Sequence, residues 1–365
     1  MDNKLLDTFL QLLRIGLWQK GSLDRDLNAK EWTQIYQFAS IHTVEGIIYD
    51  SFSFLKDTQL PPQTLLLKWT VRVDQIERLN AKMNDTISYQ FKDFKKHDLD
   101  PILQKGQGVA ACYIKPEHRV CGDIDWYFQN NGYSKAREYL KKQQISYRET
   151  AGLDIDYNFQ SVPIEHHQDL FHIRSPFKHK YLNVLEKKYQ NKQQSEIIKG
   201  TGITLLAPEL QILQINAHIL KHMISFGIGY RQICDAAMLY RAYKGQVDND
   251  ALKHMYKKAG ILKWVHVLHH LLENHMGLEK KYIPFEYPKN ITSDWMLNEI
   301  WHGGNFGHYD DRYVNGKVIK TISVYPDGAK RLWGNFKRYF PYAPQEAIFL
   351  PILKLYAKIK GTELD

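Results

Sequence analysis

Apolar residues recur at helical spacing through the first hundred positions. Leu5, Leu6, Phe9, Leu12, Leu13 and Leu17 make one stripe and predict an N-terminal amphipathic helix. Trp32, Ile35, Phe38 and Ala39 predict a second helix over about Lys30 to Tyr49. Pro61-Pro62 interrupts the pattern, and a long helix is then expected from Gln63 to about Lys96.

The pattern changes near Asp98. Pro101-Ile-Leu-Gln reads as a strand, Lys105-Gly-Gln-Gly as a turn, and the run through Val109 to Tyr113 as a short helix. Gly122-Asp-Ile-Asp-Trp-Tyr-Phe has strand character. Ser134 to Gln143 predicts a helix with Ser134 as N-cap. Strand-like pieces follow at Ser146 to Thr150, Leu153 to Phe159 and Val162 to His167. Alternating strands and helices, then a run of strands, imply a compact α/β unit. From Pro208-Glu209, a favourable helix start, the chain turns helical again. Helices are expected from Pro208 through Leu210, Leu213, Ala217, Leu220 and Ile224, then at Tyr230–Tyr243, Asn249–Ala259, Leu262–His275, Ser293–Ile300, Ala329–Tyr339 and Pro344–Ile359, with Gly303-Gly-Asn-Phe-Gly a loop. The expected organisation is α+β: a helical region over 1–97, a small mixed-sheet α/β core over 98–200, and a helical region over 201–365. There is no internal repeat and no low-complexity tract.

Composition narrows the class. With 365 residues, 44% hydrophobic and 24% charged, the chain can bury a sizeable core, which excludes the disordered class. Its net charge of +9 suits a polyanionic partner such as a nucleotide or RNA, but the charge is spread and forms no basic tail. Three cysteines without a Cys-x-x-Cys pair argue against a disulfide framework and a structural zinc site. The amphipathic N-terminus lacks the shape of a secretory signal, and no long uncharged apolar stretch exists. The expected location is cytoplasmic, with no membrane partner.

The sharpest chemical feature is Gly122-Asp123-Ile124-Asp125. Strand side chains alternate faces, so Asp123 and Asp125 point one way and Ile124 the other, into a core. Adjacent carboxylates repel unless a cation lies between them, and hard oxygen ligands suit magnesium. Asp154 and Asp156 have the same spacing, so spacing alone cannot single out a site. Context separates the pairs: only Asp123 and Asp125 follow a strand and a Gly-rich turn whose N–H groups can face phosphate.

The stretch Leu103-Gln-Lys-Gly-Gln-Gly-Val-Ala with Arg119-Val-Cys-Gly-Asp-Ile-Asp-Trp-Tyr-Phe resembles the core of an uncharacterised nucleotidyltransferase family found in bacteria, within the DNA polymerase β-like nucleotidyltransferase superfamily. Glu165-His166-His167 matches that family's acidic-x-His pattern on a later strand. Leu206-Ala-Pro-Glu, His218-Ile-Leu-Lys-His222 and Tyr230-Arg-Gln-Ile-Cys-Asp235 resemble its helical half, and Gly303-Gly-Asn-Phe-Gly and Phe340-Pro-Tyr-Ala-Pro344 its C-terminal part. The resemblance implies a catalytic metal set of Asp123, Asp125 and Glu165 holding Mg2+ (or Mn2+). It also implies nucleotide contacts from Lys105, Gly106, Gln107, Arg119, His218, His222, Arg231 and Asp235. The superfamily's usual turn is Gly-Ser, whose serine grips phosphate; here Gln107 follows Gly106, and Lys105 could supply charge instead.

The residues admit plainer roles as well. Arg119 could be a solvated loop arginine, or contact phosphate, or orient Asp123. His218 and His222 share a helix face but lack the glutamate of a zinc-binding His-Glu-x-x-His, which favours a polar cluster lining a cleft. Arg231 and Asp235, four apart, could be an intrahelical ion pair. Lys221 is a lesser phosphate candidate, and one of His166, His167 and His172 could be a base or a partner of Glu165. The expected activity is transfer of a nucleoside monophosphate from an NTP to an acceptor, with release of pyrophosphate. Small molecules, RNA and proteins all stay open as acceptors, as does the oligomeric state. The alternatives are a catalytically degenerate nucleotide- or partner-binding protein of the same fold, and a helical interaction protein without nucleotide chemistry.

Overall fold

The computed structural model describes residues 3–360 except 131, 151–153, 309, 311 and 313–327. Leu153, the expected first residue of one strand, lies outside the described residues.

The N-terminal helices are α1 (Asn3–Trp18), α2 (Ala29–Ile41), α3 (Glu45–Ser51) and α4 (Gln63–Lys96). The sequence predicts one helix where α2 and α3 stand. The break falls at His42-Thr43, where Thr43 takes a left-handed φ of 54°. The break turns α3 onto the segment that leads to the site: a Cβ on Gly46 would lie 2.1 Å from the carbonyl oxygen of His118.

The α/β region runs β1 (Pro101–Gln104), α5 (Lys105–Ala110), β2 (Ile124–Phe128), α6 (Gly132–Lys142), β3 (Arg148–Thr150), β4 (Asp154–Phe159), β5 (Val162–His167), α7 (Pro176–Tyr189), β6 (Gln194–Ile198) and β7 (Thr201–Leu205). Helix α6 starts two residues before Ser134, which therefore lies in its first turn and is not the N-cap. The seven strands form one mixed sheet in the order β3-β4-β5-β2-β1-β7-β6. Strands β2 and β5 are parallel neighbours, as are β1 and β7; the other pairings are antiparallel.

Alternation along β2 divides the core. Ile124, Trp126 and Phe128 face a cluster with Met83, Ile87 and Phe94 of α4 and Ala136 and Leu140 of α6. Tyr127 faces the other way, into a larger cluster that runs from Leu5 to Leu350 and includes most apolar positions of the C-terminal helices. Those helices are α8 (Pro208–Ser225), α9 (Tyr230–Ala242), α10 (Asn249–Ala259), α11 (Leu262–Asn274), α12 (Asp294–Gly303), α13 (Gly328–Tyr339) and α14 (Pro344–Lys360). The α+β class expected from the pattern is the fold observed. Among the described residues, no helix is long and apolar enough to cross a membrane.

Candidate active site

Register brings the acidic residues together. Asp125 of β2 pairs with Glu165 of β5, and Glu165 pairs in turn with Asp156 of β4. His167 pairs with Asp154 on its other side. Paired residues on adjacent strands project from the same face, so Asp125, Glu165, His167, Asp154 and Asp156 line one patch of sheet. Asp123 lies just before β2 and borders the same cleft. The pair Asp154–Asp156, which spacing and context set aside, is thus part of the site.

The cleft has a volume of about 320 Å³, within the range of small-molecule sites. The sheet face forms one wall; Ile215, His218, Ile219, Lys221 and His222 of α8, Arg231 and Asp235 of α9, and Phe306 and His308 form the rest.

At its floor, Lys105 Nζ lies 2.7 Å from Asp125 Oδ1. His167 Nε2 lies 2.6 Å from the same oxygen, 3.4 Å from Glu165 Oε2 and 3.2 Å from Lys105 Nζ. His167 Nδ1 lies 2.8 Å from Asp154 Oδ1. Burial opposes charge on Asp125, but Lys105 and His167 hold its carboxyl well below the usual range. Burial, then the neighbouring Asp125, push Glu165 up to about 7 and also raise Asp123. Burial and Lys105 work against charge on His167, yet Asp154 and Asp125 push it up to about 9.

The turn that places Lys105 is strained. Lys105 and Gly106 have φ of 39° and 33°, a region glycine enters most readily. A Cβ on Gly106 would also lie 3.1 Å from Cys121 Sγ, so the turn fits closely over the segment before Asp123. The side chain of Gln107 does not reach the cleft. Its Nε2 donates to Asn80 Oδ1 of α4 at 2.8 Å, because the backbone that turns Lys105 toward β5 sends Gln107, two residues on, toward α4. Asn80, which the sequence does not flag, also donates to the carbonyls of Glu117 and Arg119, at 2.6 and 2.9 Å. It thereby straps the Lys105–Gln107 turn to the segment leading into Asp123.

Arg119 borders the cleft, but its guanidinium is engaged elsewhere. Nε and Nη2 each donate to the Asp235 carboxylate at 2.7 Å, and Tyr113 donates to Asp235 Oδ1 at 2.6 Å. Asp235 therefore pairs across the fold, not with Arg231 along α9. Arg231 Nη1 donates to the carbonyl of Val120 at 3.2 Å. His218 and His222 meet edge-on with ring centroids 4.3 Å apart. Burial, and then neighbouring cationic side chains and imidazoles, hold both well below the ordinary histidine pKa, so both are neutral at pH 7. His172 extends this row toward His167, with ring centroids 5.2 Å apart. His166 points to the opposite face, where Tyr157 contacts its Nε2 at 3.0 Å; burial pushes it down to about 3, and its role is packing.

The family of nucleotidyltransferases described as uncharacterised has a model that matches residues 28–277, more than half of the chain and all of the cleft floor. The chain belongs to this family. Among solved structures, this family member is similar to an antigenic nucleotidyltransferase-like protein from Paracoccidioides brasiliensis, with 12% identity over 56% of this chain and 94% of that one. The TM-score of 0.39 is too low for that likeness to carry an argument. No curated protein matches the chain.

The donor set of the cleft suits a divalent cation. Among the described residues, one three-ligand group has its atoms within 4.8 Å of one another: Asp125, Glu165 and His167. This differs from the expected set by gaining His167 and leaving Asp123 at its margin. Carboxylates outnumber lysines and arginines around the cleft; burial first, and then repulsion from Asp125, raise Glu165 and Asp123, and a bound cation would offset both.

Proposed function

We propose that this protein is a metal-dependent nucleotidyltransferase that moves a nucleoside monophosphate from an NTP to an acceptor and releases pyrophosphate. The convergence of Asp125, Glu165 and His167 at a cleft that Lys105 also enters carries the reading. The order of its motifs, a Lys-Gly turn, an Asp-x-Asp strand and a later acidic strand, supports a place in the DNA polymerase β-like superfamily.

Asp125, Glu165 and His167 would hold the divalent ion, with Asp123 beside them. When bound, that ion neutralises the triphosphate and lowers the pKa of the attacking group. Lys105, Lys221 and Arg231 place positive charge where the phosphates lie. The row of neutral imidazoles on α8 lines the cleft opposite the sheet, an apolar-edged wall for the nucleoside. The acceptor oxygen forms a bond to the α-phosphorus as the bond to the β-phosphate oxygen breaks, and the pyrophosphate takes that electron pair. Glu165, whose carboxyl burial and Asp125 push up, accepts the acceptor's proton on Oε1 while Oε2 faces His167. Positioning and charge neutralisation supply most of the rate.

The test is incubation of the protein with labelled NTPs, Mg2+ or Mn2+ and cell extract. Labelling of an acceptor that disappears in Asp125→Asn is the expected result; equal labelling by that variant sinks the proposal. One observation favours a second reading, a binding protein without turnover: Gln107 faces Asn80, so the turn offers phosphate no amide or hydroxyl donor at that position. That reading predicts nucleotide binding by calorimetry without pyrophosphate release.

A further inference from the structure

The positive charge looks spread along the chain, but the fold does not leave it spread. Helices α7, α13 and α14 carry eleven lysines and arginines and two glutamates, a net +9 that equals the net charge of the whole chain. The rest of the molecule is therefore balanced. Both glutamates turn inward: Glu186 accepts a hydrogen bond from Tyr127 at 2.7 Å, and Glu346 accepts from the backbone N–H groups of Arg174 and Ser175. Lys180 and Lys188 of α7 and Lys337 of α13 are exposed, and among the described residues none of the three has an ion-pair partner.

The same helices expose hydrocarbon. Sixteen large apolar side chains are exposed among the described residues, and nine belong to this region: two on α7, five on α14, and Trp333 and Phe340 on α13 and the turn after it. On α14, Ile348, Ile352, Leu355, Tyr356 and Ile359 recur at helical spacing, whereas Ala347 and Leu350 on its other face are buried in the core. A stripe of that kind ordinarily faces an apolar medium. Phe177 of α7 stands beside α14, its ring centroid 5.9 Å from that of Phe349. Phe177, Lys180, Val184 and Lys188 share one exposed face of α7. On α13, Lys337 Nζ lies 5.0 Å over the ring of Trp333.

We propose that α14, with α7 and α13 beside it, docks on the surface of a membrane containing anionic lipid. A second copy of the chain would set one strongly positive face against another. A nucleic acid would match the charge, but it offers phosphates and flat bases, not hydrocarbon, to an aliphatic stripe. A bilayer surface supplies both, with anionic headgroups for the lysines and acyl chains just beneath for the stripe. Tryptophan and the lysine stems suit the boundary between them. The helix would lie in the surface and not cross it, which agrees with the absence of a membrane-spanning helix among the described residues.

The test floats the full chain with vesicles of phosphatidylcholine, with and without phosphatidylserine. The chain should float with the phosphatidylserine vesicles, bind pure phosphatidylcholine at least about tenfold more weakly, and be released as salt rises. Ile352→Glu with Leu355→Glu should weaken binding at least about tenfold. Both side chains are exposed, so the melting temperature should hold. Lys180→Gln with Lys188→Gln should weaken binding about 25-fold, about fivefold for each lysine. Leu67→Glu alters a similarly exposed leucine of α4 and should float like the unmodified chain. Failure to float with the anionic vesicles overturns the inference, as do equal binding to both vesicles and unchanged flotation of the Ile352 and Leu355 variant. A dimer in light scattering that this variant dissolves also overturns it, because the stripe then faces a second copy. None of these outcomes depends on the transfer reaction.

Discussion

The segment that enters β2 and the strand β4 each carry two aspartates at the same spacing, and both pairs line the cleft, but the pairs do different work. Asp125 of β2 lies between the Lys105 turn on one side and Glu165 and His167 on the other. Asp156 of β4 lies toward the sheet edge, where Arg148 of β3 contacts it at 3.1 Å, and Asp154 is committed to His167. Charge and spacing are equal in the two pairs. What differs is the neighbouring strand, and whether a cation-handling residue or an edge arginine stands on it.

The largest break in this comparison should come from the carboxylates themselves. Asp125→Asn is expected to lower nucleotidyl transfer about a thousandfold, as loss of a main transition-state electrostatic contact does, and Asp156→Asn less than about threefold. Single-turnover rates with a labelled NTP would check this; equal losses would mean that both pairs serve the reaction alike. The second break is in support. The segment before Asp123 is tied to α9 by the Arg119–Asp235 pair, and both partners are buried. Arg119→Met should cost about 3–5 kcal/mol by leaving Asp235 buried and uncompensated, and adding Asp235→Leu should recover most of it. Urea unfolding reads this directly.

Protonation separates the strands more gently. Glu165 and His167 are raised to about 7 and about 9, from ordinary values of 4.5 and 6.5. Over the intervals between those values these two groups bind more protons in the folded state than in the unfolded chain, so their contribution to stability falls as pH rises. The buried histidines His42, His166 and His269, pushed down to about 3, work in the opposite sense below about pH 6.5. Above that range the metal-free melting temperature should decline toward about pH 9 as His167 loses its proton. Saturating Mn2+ should flatten that decline. A profile in EDTA that rises from about pH 7.5 to about pH 9 would contradict the site electrostatics. The smallest effect is expected at Gln107→Ala, which deprives buried Asn80 of a donor: a loss of about 1–3 kcal/mol in stability with nucleotide affinity unchanged. A marked loss of affinity would mean that the amide turns into the cleft when nucleotide binds.

Much of this was readable from the chain, and the exceptions have physical causes. Local periodicity marks α1, α4 and most C-terminal helices, since each buries one face continuously. Asp123, Asp125 and Lys105 stand out because a strand, a Gly-containing turn and a second strand follow within a short span. Asp154 does not, because its importance comes from pairing. The β4–β5 hairpin turns on Gln160-Ser161, with φ of 50° and 64°. Such two-residue turns usually announce themselves by Asn-Gly or Asp-Gly, and this one contains neither. Once the turn is known, counting outward from Phe159 and Val162 places Asp154 opposite His167. Arg119 and Asp235 stand 116 positions apart, and nothing local marks them as partners. Asn80 is one polar residue on the buried side of a long helix, and its three hydrogen bonds reach segments that only the tertiary fold brings near it.

The apolar cluster from Leu5 to Leu350 has a consequence for how such a protein can diversify. It joins the N-terminal and C-terminal helices to Ile102 and Tyr127 on one face of the sheet, so the sheet cannot be excised and grafted onto another body as an interchangeable cassette. Lineages built on this plan would have to change what they modify by editing the rim, for example the short Gly304–Gly307 loop that carries Phe306 to the mouth of the cleft, while the interior is inherited as a block.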